Sequence, residues 1–255
     1  MKTEQRDEQF CNVVMSFAQA KVAFEELLHE YRATLKIEFP KLDDFVENVL
    51  FTLKENSHFL FRKPGQNDGV SEEGLFDISV GSIFHELMKI KENVYQLEHY
   101  APIYSAMSKS ERPDAPPYEH AFLEAFHKIV RRARRSLSSD LTSAEELFRD
   151  AADNLKMMLR GHVSNMLLPR VIIENEEIMK RCFKVNDVDK LLSEIYSGRL
   201  DEAHLIASRD YLQGGWYDKA RREAQRVREI DPDNVEAAQV IAKLSGKGVA
   251  AGRDR

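Results

Sequence analysis

Residues 201–234 read DEAHLIASRDYLQGGWYDKARREAQRVREIDPDN, and this stretch decides the fold. Apolar and small residues recur at helical spacing on both sides of Gly214 and Gly215. Pro232 follows the second run, and proline is common just beyond the end of a helix. The segment therefore predicts two short helices joined by a tight glycine turn, in a chain whose fold class is all-α.

The same segment resembles one tetratricopeptide repeat, a family built from helix-turn-helix units of about 34 residues. The residues that match the family pattern are Tyr211, Gly215-Trp-Tyr217-Asp-Lys-Ala220, Val227 and Asp231-Pro232-Asp-Asn234. The sequence departs from that pattern at Ser208, where a glycine is usual, and at His204, where a large aromatic residue is usual. The resemblance implies a short array of helical hairpins over residues 185–246, closed by a capping helix at residues 235–244.

Part of this pattern also occurs 17 residues upstream, in Gly198-Arg-Leu200-Asp-Glu-Ala203. That spacing is half a repeat, so the two frames assign opposite roles to the helix at residues 201–213. Pro232 favours the later frame, which leaves one good repeat with a helix before it and a cap after it.

Tetratricopeptide proteins usually bind peptides or partner proteins in a concave groove, and most do no chemistry. The resemblance therefore implies a non-enzymatic protein-interaction module (an adaptor, assembly factor or regulator) with a protein partner. Leu205, Arg209 and Leu212 lie one helical row apart on the inner face and are the expected protein-binding residues, with Arg209 contacting an acidic group. A groove normally needs about three stacked repeats. A hairpin that only packs on the rest of the chain, or that forms a homodimer, therefore stays an open alternative.

Composition agrees with a helical protein that has a sizeable core. The 255 residues are 43% hydrophobic and 31% charged, with only 11 Gly and 8 Pro. A net charge of −6 gives no overall attraction to nucleic acid or to an anionic membrane. The charged start does not resemble a signal peptide, and no apolar stretch approaches the ~20 residues of a membrane span. Two isolated cysteines, Cys11 and Cys182, are expected as small core residues in a reducing compartment, so we expect a cytoplasmic location.

Residues 1–184 are predicted to form a helical bundle of five or six elements. The first helix is expected from Asp7 to Leu35, and a second amphipathic helix begins near Leu42. The first helix has one apolar stripe, expected to face the bundle, formed by Phe10, Val13, Phe17, Phe24, Leu28, Tyr31 and Leu35. Residues 62–74 are rich in turn formers and predict a loop. Residues 247–255 are expected to be a disordered tail.

The third helix carries a heptad-like apolar seam, which suits lengthwise packing against a neighbouring helix. Its residues are Ile83, Leu87, Ile90, Val94 and Leu97. Pro102 is expected to kink or end this helix. Residues 112–117 hold three prolines and predict a rigid connector.

A fourth helix follows, and its expected inward residues are Phe122, Phe126, Val130, Ala133 and Leu137. Thr142 and Glu145 have the spacing of a capping box, which predicts that a new long helix starts there. That helix is expected to run toward Leu168. Residues 171–183 are expected to be helical, and residues 184–187 are expected to act as a hinge.

Two Glu-x-x-His pairs raise the alternative of a ferritin-like metal- or cofactor-binding bundle. They are Glu26 with His29 and Glu124 with His127. The chemistry requires both ligands on the inner side of each helix, whereas the helical period directs both pairs mainly toward solvent. We therefore assign no metal site, cofactor or catalytic residue, and keep the metal bundle as an alternative function.

A second alternative is nucleic-acid binding through the basic helix at residues 128–135. These basic residues surround apolar positions and lack an aromatic platform or a base-reading motif, so a solvated helix face is the favoured interpretation. The arginines of residues 221–228 are interpreted in the same way, because acidic residues interleave with them. Phosphate loops, dinucleotide-binding glycines, zinc clusters and nucleophile elbows are absent from the sequence.

Overall fold

The chain is all-α in a computed structural model that describes residues 2–54, 72–110 and 116–245. Within these ranges it is 87% helical, with ten α-helices and no strand. In chain order the elements are α1 (Lys2–Thr34), α2 (Phe39–Phe45), a π-helical segment (Val46–Phe51), α3 (Glu72–Ser110), α4 (Pro117–Arg160), α5 (Leu168–Glu174), α6 (Glu176–Phe183), α7 (Val188–Ile195), α8 (Leu200–Gln213), α9 (Tyr217–Ile230) and α10 (Val235–Ser245). None of the helices described has an apolar run long enough to cross a membrane.

The chain divides into two compact units, one made of residues 1–18 with residues 153–255 and the other of residues 19–152. The predicted domain boundary between residues 184 and 185 stays a prediction. Most of the predicted loop at residues 62–74 and the whole tail at residues 247–255 lie outside the described residues.

Aliphatic side chains and a few aromatic rings form the core of the unit at residues 19–152. The Phe24 ring of α1 stacks on the Phe148 ring of α4 with 4.8 Å between centroids, and it lies 6.3 Å from the Phe45 ring of α2. The α3 seam contributes four residues that are at most 2% exposed: Ile83, Leu87, Ile90 and Val94. The heptad spacing therefore identified the buried face of α3 correctly.

The predicted helix start at Thr142 is wrong, because α4 runs without a break from Pro117 to Arg160. The Thr142 hydroxyl donates to the Ser138 carbonyl, 3.0 Å away in the preceding turn, instead of capping a helix. Leu141 and Ala144 are both buried and continue the apolar period through this point. Core packing thus keeps α4 continuous through residues that have the spacing of a capping box.

Pro102 does not end α3, which continues to Ser110. Proline removes one backbone donor and crowds the preceding turn. Ring contacts with α4 occur on both sides of it: Tyr100 stacks on Phe126 and Tyr104 stacks on His127, with 5.6 Å and 5.3 Å between centroids. We attribute the survival of the helix to these contacts.

Two residues predicted to face inward are exposed. Phe122 lies near the start of α4 and is 58% exposed, whereas Val130 and Leu137 on the same stripe are buried. Leu35 follows the end of α1 in the left-handed conformation, with φ 55°, and is 76% exposed. In both places the apolar stripe extends beyond the part of the helix that the core covers.

The unit that contains residues 153–255 is built from shorter helices with defined ends. Asn175 separates α5 from α6, so the helix predicted over residues 171–183 is interrupted. Lys184 closes α6 in the left-handed conformation, and the Asp187 carboxylate caps α7 by accepting from the Asp189 amide at 2.9 Å. Cys11 and Cys182 are both buried, as expected, and burial raises the pKa of the Cys11 thiol to about 12.

Two alanine substitutions compare Thr142, which lies inside α4, with Asp187, which caps α7. Thr142→Ala should leave the free energy of unfolding unchanged or raise it by up to about 0.5 kcal/mol, because alanine favours a helix interior. Asp187→Ala removes a real cap and should cost about 1 kcal/mol. Urea denaturation of the two variants beside the wild type measures both changes. A loss in Thr142→Ala as large as that in Asp187→Ala would contradict the continuous α4.

Candidate functional site

The turn between α8 and α9 is fixed by backbone hydrogen bonds that require a left-handed residue. The Trp216 amide donates to the Tyr211 carbonyl at 2.9 Å, and the Gly215 amide donates to the Leu212 carbonyl at 3.3 Å. This is the Schellman arrangement, in which glycine is the usual left-handed residue, and Gly215 has φ 79°. The Tyr211 and Trp216 rings meet edge to face with 6.1 Å between centroids.

Gly214 is required for a different reason, namely space. A Cβ atom at this position would lie 2.5 Å from the Trp216 ring, so a side chain there would force the indole to move. Gly215 thus provides the left-handed backbone of the turn, and Gly214 leaves room for the Trp216 ring. Both roles agree with the interpretation of this pair as a turn between two helices.

Small residues bring α8 and α9 close together. The buried alanines along their contact are Ala203, Ala207, Ala220 and Ala224. Ser208 is fully buried, and its hydroxyl donates to the Ala220 carbonyl at 2.8 Å. The serine that departs from the tetratricopeptide pattern therefore contributes a hydrogen bond between the two helices.

His204, the other departure from that pattern, connects three helices through carboxylates. It lies on α8, and its Nδ1 atom is 2.8 Å from Glu223 Oε2 on α9. Its Nε2 atom lies 3.2 Å from Asp189 Oδ1 on α7, without hydrogen-bond alignment. Because an ionised carboxylate only accepts hydrogen bonds, the Nδ1 atom carries the proton that is shared with Glu223.

Arginines complete the charge balance of this cluster. Arg222 Nε donates to Glu223 Oε1 at 3.0 Å, and Arg226 Nη2 donates to Asp189 Oδ2 at 2.6 Å. Burial acts to raise the pKa of the Glu223 carboxyl, but the hydrogen bonds from His204 and Arg222 hold that pKa below its ordinary value. Glu223 therefore stays ionised although it is only 4% exposed.

The three residues predicted to bind a partner are partly buried, on the side of α8 that meets α9 and α10. Leu205 packs against Ala224, Val227 and Ala237, and Leu212 packs against the cluster that contains Tyr211 and Leu244. Arg209 forms an ion pair with Glu236 at the start of α10. Their role in binding stays a prediction, since each already has contacts within the chain.

The helix α10 covers the apolar edge of the α8–α9 pair. Asn234 caps it by accepting from the Ala237 amide at 3.1 Å. Val240 packs against both apolar clusters of the hairpin, and Ile241 packs against the one formed with α9. A cap over these residues is what the tetratricopeptide resemblance implied for residues 235–244.

The four residues of the metal alternative are all exposed: Glu26, His29, Glu124 and His127. The orientation expected from the helical period is therefore confirmed, and the His127 ring stacks on Tyr104. Among the residues described, no group of three or more histidine, cysteine, aspartate or glutamate side chains is arranged to hold a metal ion.

The basic run of α4 is a mixture of paired and exposed side chains. Lys128 pairs with Glu124 at 2.7 Å, which holds the pKa of that carboxyl below its ordinary value. The exposed arginines of the run are Arg131, Arg132, Arg134 and Arg135. On α9, Arg228 is exposed, whereas carboxylates or the Leu244 carbonyl hold Arg221, Arg222 and Arg226.

Sequence reasoning missed the His204 cluster because its members are far apart in the chain. Asp189, His204 and Glu223 belong to three different helices, and each resembles an ordinary surface residue within its own helix. One signal was available: His204 occupies a position that the family fills with a large apolar ring. A polar residue at a buried position needs a partner.

Glu223→Gln should lower the free energy of unfolding by about 3 kcal/mol at pH 7, because it breaks a buried charge cluster. The folded pKa of Glu223 lies below its unfolded value, so its stabilisation is present above about pH 4 and is lost as the pH falls through the folded pKa. The difference between wild type and variant should therefore shrink in acid. Urea denaturation from pH 7 to pH 3 measures this trend. Glu229→Gln, an exposed change on the same helix, is the control and should have little effect.

Comparisons with known proteins give this chain no family assignment. No protein-family model matches it, and no similar protein was found among curated proteins or among solved structures.

Proposed function

We propose that this protein is a non-enzymatic protein-interaction module, and that its partner contacts the row formed by Leu205, Arg209 and Leu212. The observation that carries the proposal is the partial exposure of this row beside α10. Residues that serve only the core are fully covered, as Ala207 and Tyr211 are on the same helix. The row is therefore accessible to a second protein without unfolding of the hairpin.

The chemistry of the row suits a short apolar segment that carries an acidic residue. Leu205 and Leu212 provide apolar contact on either side of Arg209, and Val240 extends this surface onto α10. Buried apolar anchors with arginine are the common composition of energetically important interface residues. A single hairpin offers a short surface, so a helix or an extended peptide is a better match than a large domain.

Arg209 can exchange partners at low cost. Its side chain is 41% exposed and that of Glu236 is 55% exposed, so the ion pair between them lies in solvent. Exposed pairs of this kind contribute about 1 kcal/mol or less. An acidic group on a partner could replace Glu236 without a large loss of stability.

Charge reversal on the full-length chain tests the proposal. Arg209→Glu should reduce recovery of a specific partner by about tenfold, because a favourable charge contact becomes repulsive. Arg228→Glu is the matched control, since Arg228 is exposed on α9 and outside the row, and its recovery should equal that of the wild type. Quantitative mass spectrometry of co-purified proteins compares the three baits.

A double variant separates partner binding from folding. Arg209→Glu with Glu236→Arg restores an ion pair of opposite orientation, so stability should return while partner recovery stays low. Equal recovery with all four baits, or recovery restored by the double variant, would contradict a direct contact at Arg209.

A further inference from the structure

The unit at residues 19–152 contains a cleft that the protein-interaction proposal does not use. It lies between the C-terminal end of α1, the segment after it, α3 and α4, and has a volume of about 720 Å³. The apolar part of its wall includes Ile37, Val94, Leu97 and Leu137. Clefts of about 300–1,000 Å³ with mainly apolar walls are typical sites for small ligands.

Two basic side chains give this cleft positive charge. Lys36 and Arg134 both line it, and neither side chain forms an ion pair with any described residue. The carboxylate that lines it is Glu98, whose Oε1 atom already accepts from the Phe39 amide at 3.0 Å. Two cations and one carboxylate leave one positive charge in excess, which suits a ligand with a single negative charge.

An apolar side chain at the cleft points to an apolar body for the ligand. Leu35 lines the cleft, yet it is 76% exposed. Its left-handed backbone, with φ 55°, is uncommon for a residue with a branched side chain and fixes the leucine in this place. A bound aliphatic chain would cover Leu35 and remove this apolar surface from water.

We propose that the cleft binds an amphipathic monocarboxylate, such as a medium-chain fatty acid. The carboxylate contacts Arg134, whose guanidinium can donate two parallel hydrogen bonds to it, with Lys36 as the second positive charge. The aliphatic chain lies against Leu97, Leu137 and Leu35. Each buried methylene should then strengthen binding by about fourfold until the cleft is filled.

The test is isothermal titration calorimetry of the full-length protein with decanoate, and with decanol at the same chain length. Decanoate should bind saturably at one site, and decanol should bind about tenfold more weakly because it lacks the charge that Arg134 recognises. Octanoate should bind about fifteenfold more weakly than decanoate, as expected for two fewer buried methylenes at about fourfold each.

Two variants and a control locate the site. Ala101 lines the cleft from α3 and is partly exposed, so Ala101→Phe should place a ring inside the cleft without loss of folding and should strongly weaken decanoate binding. Arg134→Gln should weaken decanoate binding by about tenfold. Arg131→Gln, an exposed change on the same helix outside the cleft, should leave it within about twofold of the wild type. Circular dichroism checks that each variant is folded.

Four results would overturn the proposal. Absence of saturable decanoate binding would reject this class of ligand. Unchanged decanoate binding in Ala101→Phe would show that the ligand binds outside the cleft. Equal affinity for decanol and decanoate, together with no effect of Arg134→Gln, would reject carboxylate recognition. Sedimentation of the wild type and Ala101→Phe addresses a second copy of the chain as occupant: a dimer that Ala101→Phe disrupts, without decanoate binding, would also overturn it.

Discussion

The buried carboxylate of Glu223 sets the arrangement of the C-terminal helices. A charge that is removed from water must be neutralised by close partners, and here His204 and Arg222 supply them. His204 also faces Asp189, which in turn is held by Arg226, so α7, α8 and α9 meet at one cluster. The alanine contact between α8 and α9 has little freedom to shift, because sliding either helix would separate these charges. The turn at Gly215 and the cover provided by α10 both build on a hairpin fixed in this way.

Two surfaces of the protein differ in what they offer a ligand. The row on α8 is narrow, partly exposed and shared with an internal ion pair, so it suits a partner that competes for existing contacts. The cleft in the unit at residues 19–152 is concave, and its two cations have no partner among the residues described. It suits a small molecule that supplies both the apolar surface and the missing charge. The proposals for these two surfaces rest on separate residues and can fail separately.

The helical period predicted the buried faces of the long helices well, because the residues that face the core recur with the period of the helix. The stripe of α1, from Phe10 to Leu28, and the seam of α3 are buried as their spacing indicates. The errors occurred where local pattern competes with packing. Thr142 has the spacing of a capping box but lies inside α4, whose apolar face continues. Pro102 removes one backbone donor from α3, yet α3 continues through it beside ring contacts with α4. Phe122 has the correct spacing but lies beyond the region that the core covers.

The sites were less predictable than the fold for a geometric reason. The cleft is lined by Leu35, Leu97 and Arg134, which are far apart along the chain and come together only in the folded structure. A single helix pattern records which face is apolar, but it does not record what lies opposite that face. Leu205, Arg209 and Leu212 lie on one helix, so the spacing alone indicates that they share a face, and their role in binding stays a prediction. The ion pair of Arg209 with Glu236 on α10 depends on tertiary packing, which the pattern of α8 does not record.

The position of Val240 has a consequence for the exchange of backbone amides with solvent. Because this one side chain packs against both apolar clusters of the hairpin, α10 is expected to open as a single cooperative segment and not residue by residue. Each opening would uncover Leu205 and Leu212 together while the His204 cluster keeps α8 and α9 joined. A ligand that prefers the uncovered surface would bind with an apparent affinity scaled by the fraction of molecules in which α10 is open. The free energy needed to open α10 therefore limits the apparent affinity of any such partner.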